Sequence, residues 1–143
     1  MMSEKESRFM KAIVSSGEKI KSLTEEMNKK IRIANDFLRD NFAPETWVTK
    51  KIDGPECNYT IESFGYAKMK DGTSYCKREA WQLCWSEQEG DPLPDDGPGM
   101  IYPLLSSPLE MRVKYLARLP ELLEEVAKTI RDRAISLEVS LKL

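Results

Sequence analysis

The stretch from Tyr66 to Trp85 sets Lys68, Lys70, Lys77 and Arg78 among Tyr66, Tyr75, Trp81 and Trp85. Aromatic faces stack on bases while lysine and arginine hold phosphate oxygens, so this mixture has the chemistry of a nucleotide or single-strand site. The competing reading buries the aromatics under helices and spreads the cations over the outside of a hairpin. Alternation along a strand separates most of these residues onto opposite faces, which favours the second reading. Arg112, beside Tyr115 near the start of a C-terminal helix, is a further candidate. Its guanidinium can grip a carboxylate or phosphate with two parallel bonds, although Glu110, Glu121 or the acidic loop offers a partner within the chain. The candidate ligand set is therefore Lys68, Tyr75, Lys77, Arg78, Arg112 and Tyr115.

Missing residues narrow the chemistry more firmly. Histidine is absent, which removes Ser–His and Cys–His nucleophile systems, His-ligated zinc and the commonest general base near neutral pH. Cys57, Cys76 and Cys84 include no Cys-x-x-Cys pair, and three thiolates without histidine make a poor zinc site. Their odd number suits reduced thiols acting as small fillers on strands. No glycine-rich phosphate loop is present. An enzyme built from carboxylates alone stays open, but no pair of acids stands out, so an enzyme is disfavoured and no metal or cofactor is expected.

Length and charge set the frame for these residues. The chain has 143 residues, enough for one domain, and its 22 cationic side chains against 24 acidic ones leave a net charge of −2. Binding of duplex nucleic acid through bulk charge is therefore disfavoured. No apolar run approaches the roughly 18–20 residues of a membrane span, and the charged N-terminus has no signal-peptide core. A soluble cytoplasmic protein is expected.

Three zones must position the candidates. Residues 3–42 read as a helix, with Phe9, Ile13, Ile20, Leu23, Met27, Ala34 and Phe37 spaced by fours and threes. Gly17 marks a possible break, and Pro44 should end the helix. Such a helix is close to 60 Å long, more than a compact domain of this size covers. Ile13, Ile20, Leu23 and Met27 are accordingly expected to form an oligomer interface. Residues 46–89 turn to β-favouring types, with a turn at Asp53-Gly54-Pro55, a phase change beside Gly65 that suggests a bulge, and a tight turn at Asp71-Gly72. Trp81, Leu83 and Trp85 alternate with Gln82, Cys84 and Ser86, which predicts one apolar and one polar face. Residues 88–103 read as a loop rich in proline and glycine, with five acids between Glu87 and Asp96. Those acids read as a solvated loop before they read as a decoy for a basic partner. Residues 106–143 return to helix, with Ser107 as cap, Pro108 first in the helix and Glu110 behind it. Pro120 predicts a kink or two helices near Leu119.

The run Pro103-Leu104-Leu105-Ser106-Ser107-Pro108-Leu109-Glu110-Met111-Arg112, followed by Leu119-Pro120-Glu121-Leu122-Leu123, resembles small uncharacterised bacterial and phage-encoded proteins with a C-terminal helix of this pattern. The resemblance spans about residues 60–127. It implies an accessory gene, such as one of a mobile element, and transfers no catalytic residue.

Together these features predict an α+β chain: an antiparallel meander of three or four strands flanked by a long N-terminal helix and a kinked C-terminal helix. One domain over 1–143 is expected, with an oligomerisation helix (3–42), a meander (46–89), an acidic loop (90–105) and a C-terminal helix (106–143). The expected function is non-catalytic binding by a dimer or larger species, an accessory or inhibitor protein that occupies a host partner. Sequestration of a small anionic ligand such as a nucleotide is the alternative, and a carboxylate-based enzyme is a further one.

Overall fold

The computed structural model describes residues 1–54, 58–70, 79–89 and 100–142. Helix α1 runs unbroken over Glu4–Asp40. Ser3 caps it by accepting the Glu6 amide at 3.2 Å, and Glu4 and Glu6 meet the positive end of its dipole. The expected break at Gly17 does not occur. One glycine costs about 1 kcal/mol relative to alanine, too little to interrupt a helix supported on both sides. The far end closes in a Schellman motif: the Phe42 amide donates to Arg39 O at 3.1 Å and the Ala43 amide to Leu38 O at 2.9 Å. Phe42 holds a φ of 56° there, the left-handed position that glycine usually fills.

Four antiparallel strands follow in simple order, β1 (Thr46–Asp53), β2 (Tyr59–Lys70), β3 (Glu79–Glu89) and β4 (Tyr102–Pro103). Helices α2 (Leu109–Leu116) and α3 (Leu119–Lys142) complete the chain. This is the α+β arrangement of long helix, meander and C-terminal helix, with the helical break where Pro120 requires it. Pro120 sits in the first turn of α3, where a missing amide loses no helical bond.

All three helices pack on one face of the sheet. Val48, Phe64, Tyr66 and Leu83 supply that face. They meet Ile31, Ala34 and Leu38 of α1, Tyr115 of α2, and Leu119, Leu122 and Val126 of α3. Arg112 of α2 bonds Asn28 halfway along α1, while Thr129 and Arg133 of α3 line a cleft with Arg39 at the end of α1. The two long helices therefore cross the sheet in the same sense. Each outruns the body at its own end. Ile13, Ile20 and Leu23 stay exposed on the N-terminal arm, and Ile135, Leu137, Val139 and Leu141 on the C-terminal arm.

The sheet departs from the sequence reading in several places. Register along β1–β2 and β2–β3 is one-to-one through Gly65, so no bulge exists. The change of phase arises because both faces carry apolar groups. Trp47, Ala67, Met69 and Cys84 form a second, smaller cluster on the side away from the helices. Gly65 is required for closeness: a Cβ there would lie 2.4 Å from Trp47 Cε3 and 2.6 Å from Thr46 O. The indole of Trp47 thus lies over the bare backbone of the next strand. The face expected to be polar is covered too, with Cys84 and Ser86 buried. On the expected apolar face Leu83 is buried and Trp85 half-buried, but Trp81 keeps 36% of its surface.

Two residues of the expected loop form β4, with Tyr102 opposite Trp85 and Pro103 opposite Cys84. The expected Ser107 cap is also corrected. Pro108 takes the cap position without a side-chain bond. The Ser107 hydroxyl instead donates to Pro103 O at 2.6 Å and accepts the Trp85 indole N–H at 2.7 Å, tying α2 to the sheet edge. The Asp71-Gly72 turn, the acids from 91 to 96, Cys57 and Cys76 lie outside the described residues, where the nearest described pair is Lys70 opposite Glu79.

Candidate functional site

Tyr75, Lys77 and Arg78 lie outside the described residues. Lys68 stands across the β2–β3 ladder from Trp81, its ammonium 3.2 Å from Glu79. Arg112 is half-buried and donates to Asn28 Oδ1 at 2.5 Å, not to Glu110 or Glu121, while its Nε has no partner among the described residues. Tyr115 is wholly buried between Phe64 and Trp85, with ring centroids 5.7 and 5.4 Å away, and its hydroxyl donates to Glu87 at 2.9 Å. Lys68, Arg112 and Tyr115 thus serve three different places.

Around Tyr115 the structure assembles a charged cluster that sequence reasoning missed. Glu62 and Glu87 face each other across β2–β3, and Lys114 bonds both, reaching Glu87 at 2.8 Å. Burial pushes the Glu87 carboxyl up. The hydrogen bonds from Lys114 and Tyr115 and the Lys114 charge outweigh it and hold the group below its ordinary value. Burial alone would lower Lys114, but its bonds to Glu62 and Glu87 raise it above its ordinary value. Tyr115 is raised, first by burial and then by its bond to Glu87. Carboxylate acid–base chemistry needs one carboxyl driven up beside another kept low in an open cleft. Here an ammonium stands between the two acids and Glu87 is driven down, which is the arrangement of a strut joining α2 to the sheet. Among the described residues no group of three or more Cys, Asp or Glu could hold a metal ion.

The concave feature lies at the opposite end of the sheet. A cleft of about 760 Å³ opens where the end of α1, the turn into β1, the β2–β3 ladder and α3 converge. Arg39, Phe42, Glu45, Tyr66, Trp81 and Arg133 line it. Trp81 stacks on Tyr66 at 5.4 Å between centroids and 24° between planes. Burial raises the Tyr66 phenol, with Arg39 pulling it down and Asp40 pushing it up, so the ring senses the charges at the end of α1. Arg39 bonds Asp36 at 2.9 Å and lies 3.7 Å from Asp40, and all three side chains are exposed. Arg133 makes no ion pair or hydrogen bond with a described residue.

Tyr66 and Trp81 belong to the aromatic set singled out from sequence, but Arg39, Phe42 and Arg133 do not. The available signal was Phe42 itself, a bulky apolar residue just past a helix end and two before a proline, where glycine is the common choice. Comparison with family models, curated proteins and solved structures returns no match.

Proposed function

We propose that the protein is a non-catalytic binding protein that works as a dimer or larger assembly joined through its helical arms. The exposed seam of α1 carries this reading: Phe9, Ile13, Ile20 and Leu23 lie on the heptad stripe of an arm that no other described part of the body covers, with Ile13 69% exposed. In the second half of the same helix the stripe shifts by a fraction of a turn, and Ile31, Ala34 and Leu38 enter the core. The arm of α3 leaves from the other end of the body, so the two cannot cover each other within one chain. Fully burying one such side chain is worth about 1.5–3 kcal/mol. Two α1 arms packed together would gain on the order of 10 kcal/mol, which meets an association cost of about 4–15 kcal/mol. The resemblance of the C-terminal segment to phage-encoded and bacterial accessory proteins gives the reading its concrete form, an assembly that occupies a host partner.

Light scattering on the full chain tests it. The wild type should be a dimer or larger, and Ile13→Glu with Ile20→Glu should yield a monomer with the same far-UV circular dichroism. A truncation must stop before Thr24, because Met27 packs on the core and Asn28 bonds Arg112. A wild-type chain that is monomeric at high micromolar concentration refutes the proposal.

A further inference from the structure

We propose that the cleft between the end of α1, the β2–β3 ladder and α3 is a binding site for a planar aromatic group that carries a phosphate, with nucleoside monophosphates as the chemical class. Its volume falls within the range of about 300–1,000 Å³ usual for small-molecule sites. The walls supply what such a ligand needs. Trp81 is backed by Tyr66 on the sheet side and still keeps 36% of its surface, which provides a rigid stacking platform. Arg133 has no side-chain partner among the described residues, so a phosphate would displace no ion pair there. Arg39 is held only by exposed acids, pairs worth about 0–1 kcal/mol that a phosphate can replace with bidentate bonds.

Phe42 is the observation that separates a site from an incidental dent. It occupies a left-handed backbone position at φ 56°, a strain of about 1–2 kcal/mol for a residue with a side chain. Its ring is 88% exposed, so packing returns almost nothing. The two Schellman bonds account for the left-handed backbone but not for an aromatic side chain where glycine would serve, so the exposed phenyl group is the part that the fold leaves unexplained. Glu45 narrows the chemistry. Its carboxylate opposes a bare anion, and although one oxygen already accepts the Trp47 indole N–H at 3.1 Å, the other can accept from a ribose hydroxyl or an exocyclic amine, donors that a nucleotide has and a simple aryl phosphate lacks.

Calorimetry on the full chain with adenosine 5′-monophosphate, adenosine, phenyl phosphate and inorganic phosphate tests the site. The nucleotide should bind with a submillimolar Kd, and adenosine and inorganic phosphate at least about tenfold more weakly, a gap of roughly 1.4 kcal/mol. Phenyl phosphate should fall between them, which separates ring-plus-phosphate recognition from recognition of the whole nucleotide. Arg133→Gln, on an exposed helix face, and Trp81→Leu should each weaken nucleotide binding about tenfold or more. Phe42→Gly should weaken it while leaving the unfolding midpoint unchanged or higher. The site belongs to one chain, so the Ile13→Glu/Ile20→Glu monomer should bind equally well, and failure of the assembly proposal would leave this one intact. No binding at about 5 mM nucleotide, a nucleotide no tighter than inorganic phosphate, or an Arg133→Gln variant equal to wild type would overturn it.

Discussion

Replacing Lys114 with methionine is expected to destabilise the protein strongly near neutral pH and only weakly in acid. Methionine keeps the length and apolar stem of the side chain and removes only the charge. What remains is Glu62, 5% exposed, directly opposite Glu87 on the neighbouring strand, with no cation between them. Breaking a fully buried pair by removing one partner costs about 3–5 kcal/mol, but the Lys114 side chain is 40% exposed and solvent screens part of the interaction, so the expected loss is about 1–3 kcal/mol. The sign with pH follows from the directions of the shifts. Glu87 lies below its unfolded value when folded, so its contribution is present above about pH 4.3 and disappears as pH falls through the folded value. Lys114 lies above its unfolded value, so its contribution is complete below about pH 10.4 and disappears as pH rises through the folded value. The strut therefore works between those limits. Urea titrations of wild type and variant at one protein concentration should differ in midpoint by about 1 M at pH 7, with equal slopes. At pH 3 the difference should shrink to less than half. An equal loss at both pH values would mean that Lys114 acts through the packing of its stem, and the ion-pair account would be wrong.

Gly65→Ala should cost about 1–3 kcal/mol or more, because the new methyl meets both the Trp47 ring and the Thr46 carbonyl, and Trp47→Leu on that background should restore part of the loss. Ser107→Ala should cost about 1–3 kcal/mol by leaving the Trp85 indole N–H without its acceptor, measurable as a lower urea midpoint. Trp81→Ala should destabilise less than Trp85→Ala, since Trp81 is the more exposed of the two; equal losses would contradict the placement of Trp81 on the cleft wall. Cys84 is wholly buried, and burial, aided by the Glu45 charge, pushes its thiol up to about 12. Peptide mapping after iodoacetamide at pH 8 should find it unmodified in the native protein and modified in guanidinium.

Periodicity made the helices legible. The fours and threes of α1, the proline that divides α2 from α3, and the β-favouring run between them all reflect local preferences that the fold obeys. Alternation misled where its assumption failed. It presumes one dry and one wet face, whereas Cys84 and Ser86 are as buried as Leu83, and the resulting double apolar pattern imitates a bulge at Gly65. Ser107 shows a tertiary partner winning over a local one, since the hydroxyl that could cap α2 finds a carbonyl on β4 and an indole on β3. The cleft was hidden for a different reason. Arg39, Tyr66, Trp81 and Arg133 come from four separate elements, and only the shared direction of α1 and α3 brings the end of one beside the middle of the other.

Departures from local rules fall into two groups, and the difference bears on function. Gly65 in a strand, a buried Glu62 opposite Glu87 and a serine that declines to cap are each explained by a contact: the Trp47 ring, the Lys114 bridge and the Trp85 indole. Remove the contact and the residue choice loses its reason. Phe42, Arg133 and the apolar seam of the α1 arm have no such account among the described residues. Phe42 strains the backbone for no packing return, and the seam exposes Ile13 and Ile20 to water on a helix that stability alone would end sooner. Sequences that fold well agree with their structure at every level except where function demands otherwise. These residues cluster at two places, the free arm and the cleft. That clustering is why assembly and ligand binding are assigned to different ends of the molecule, and why charge on the arm and loss of Arg133 should produce separable defects.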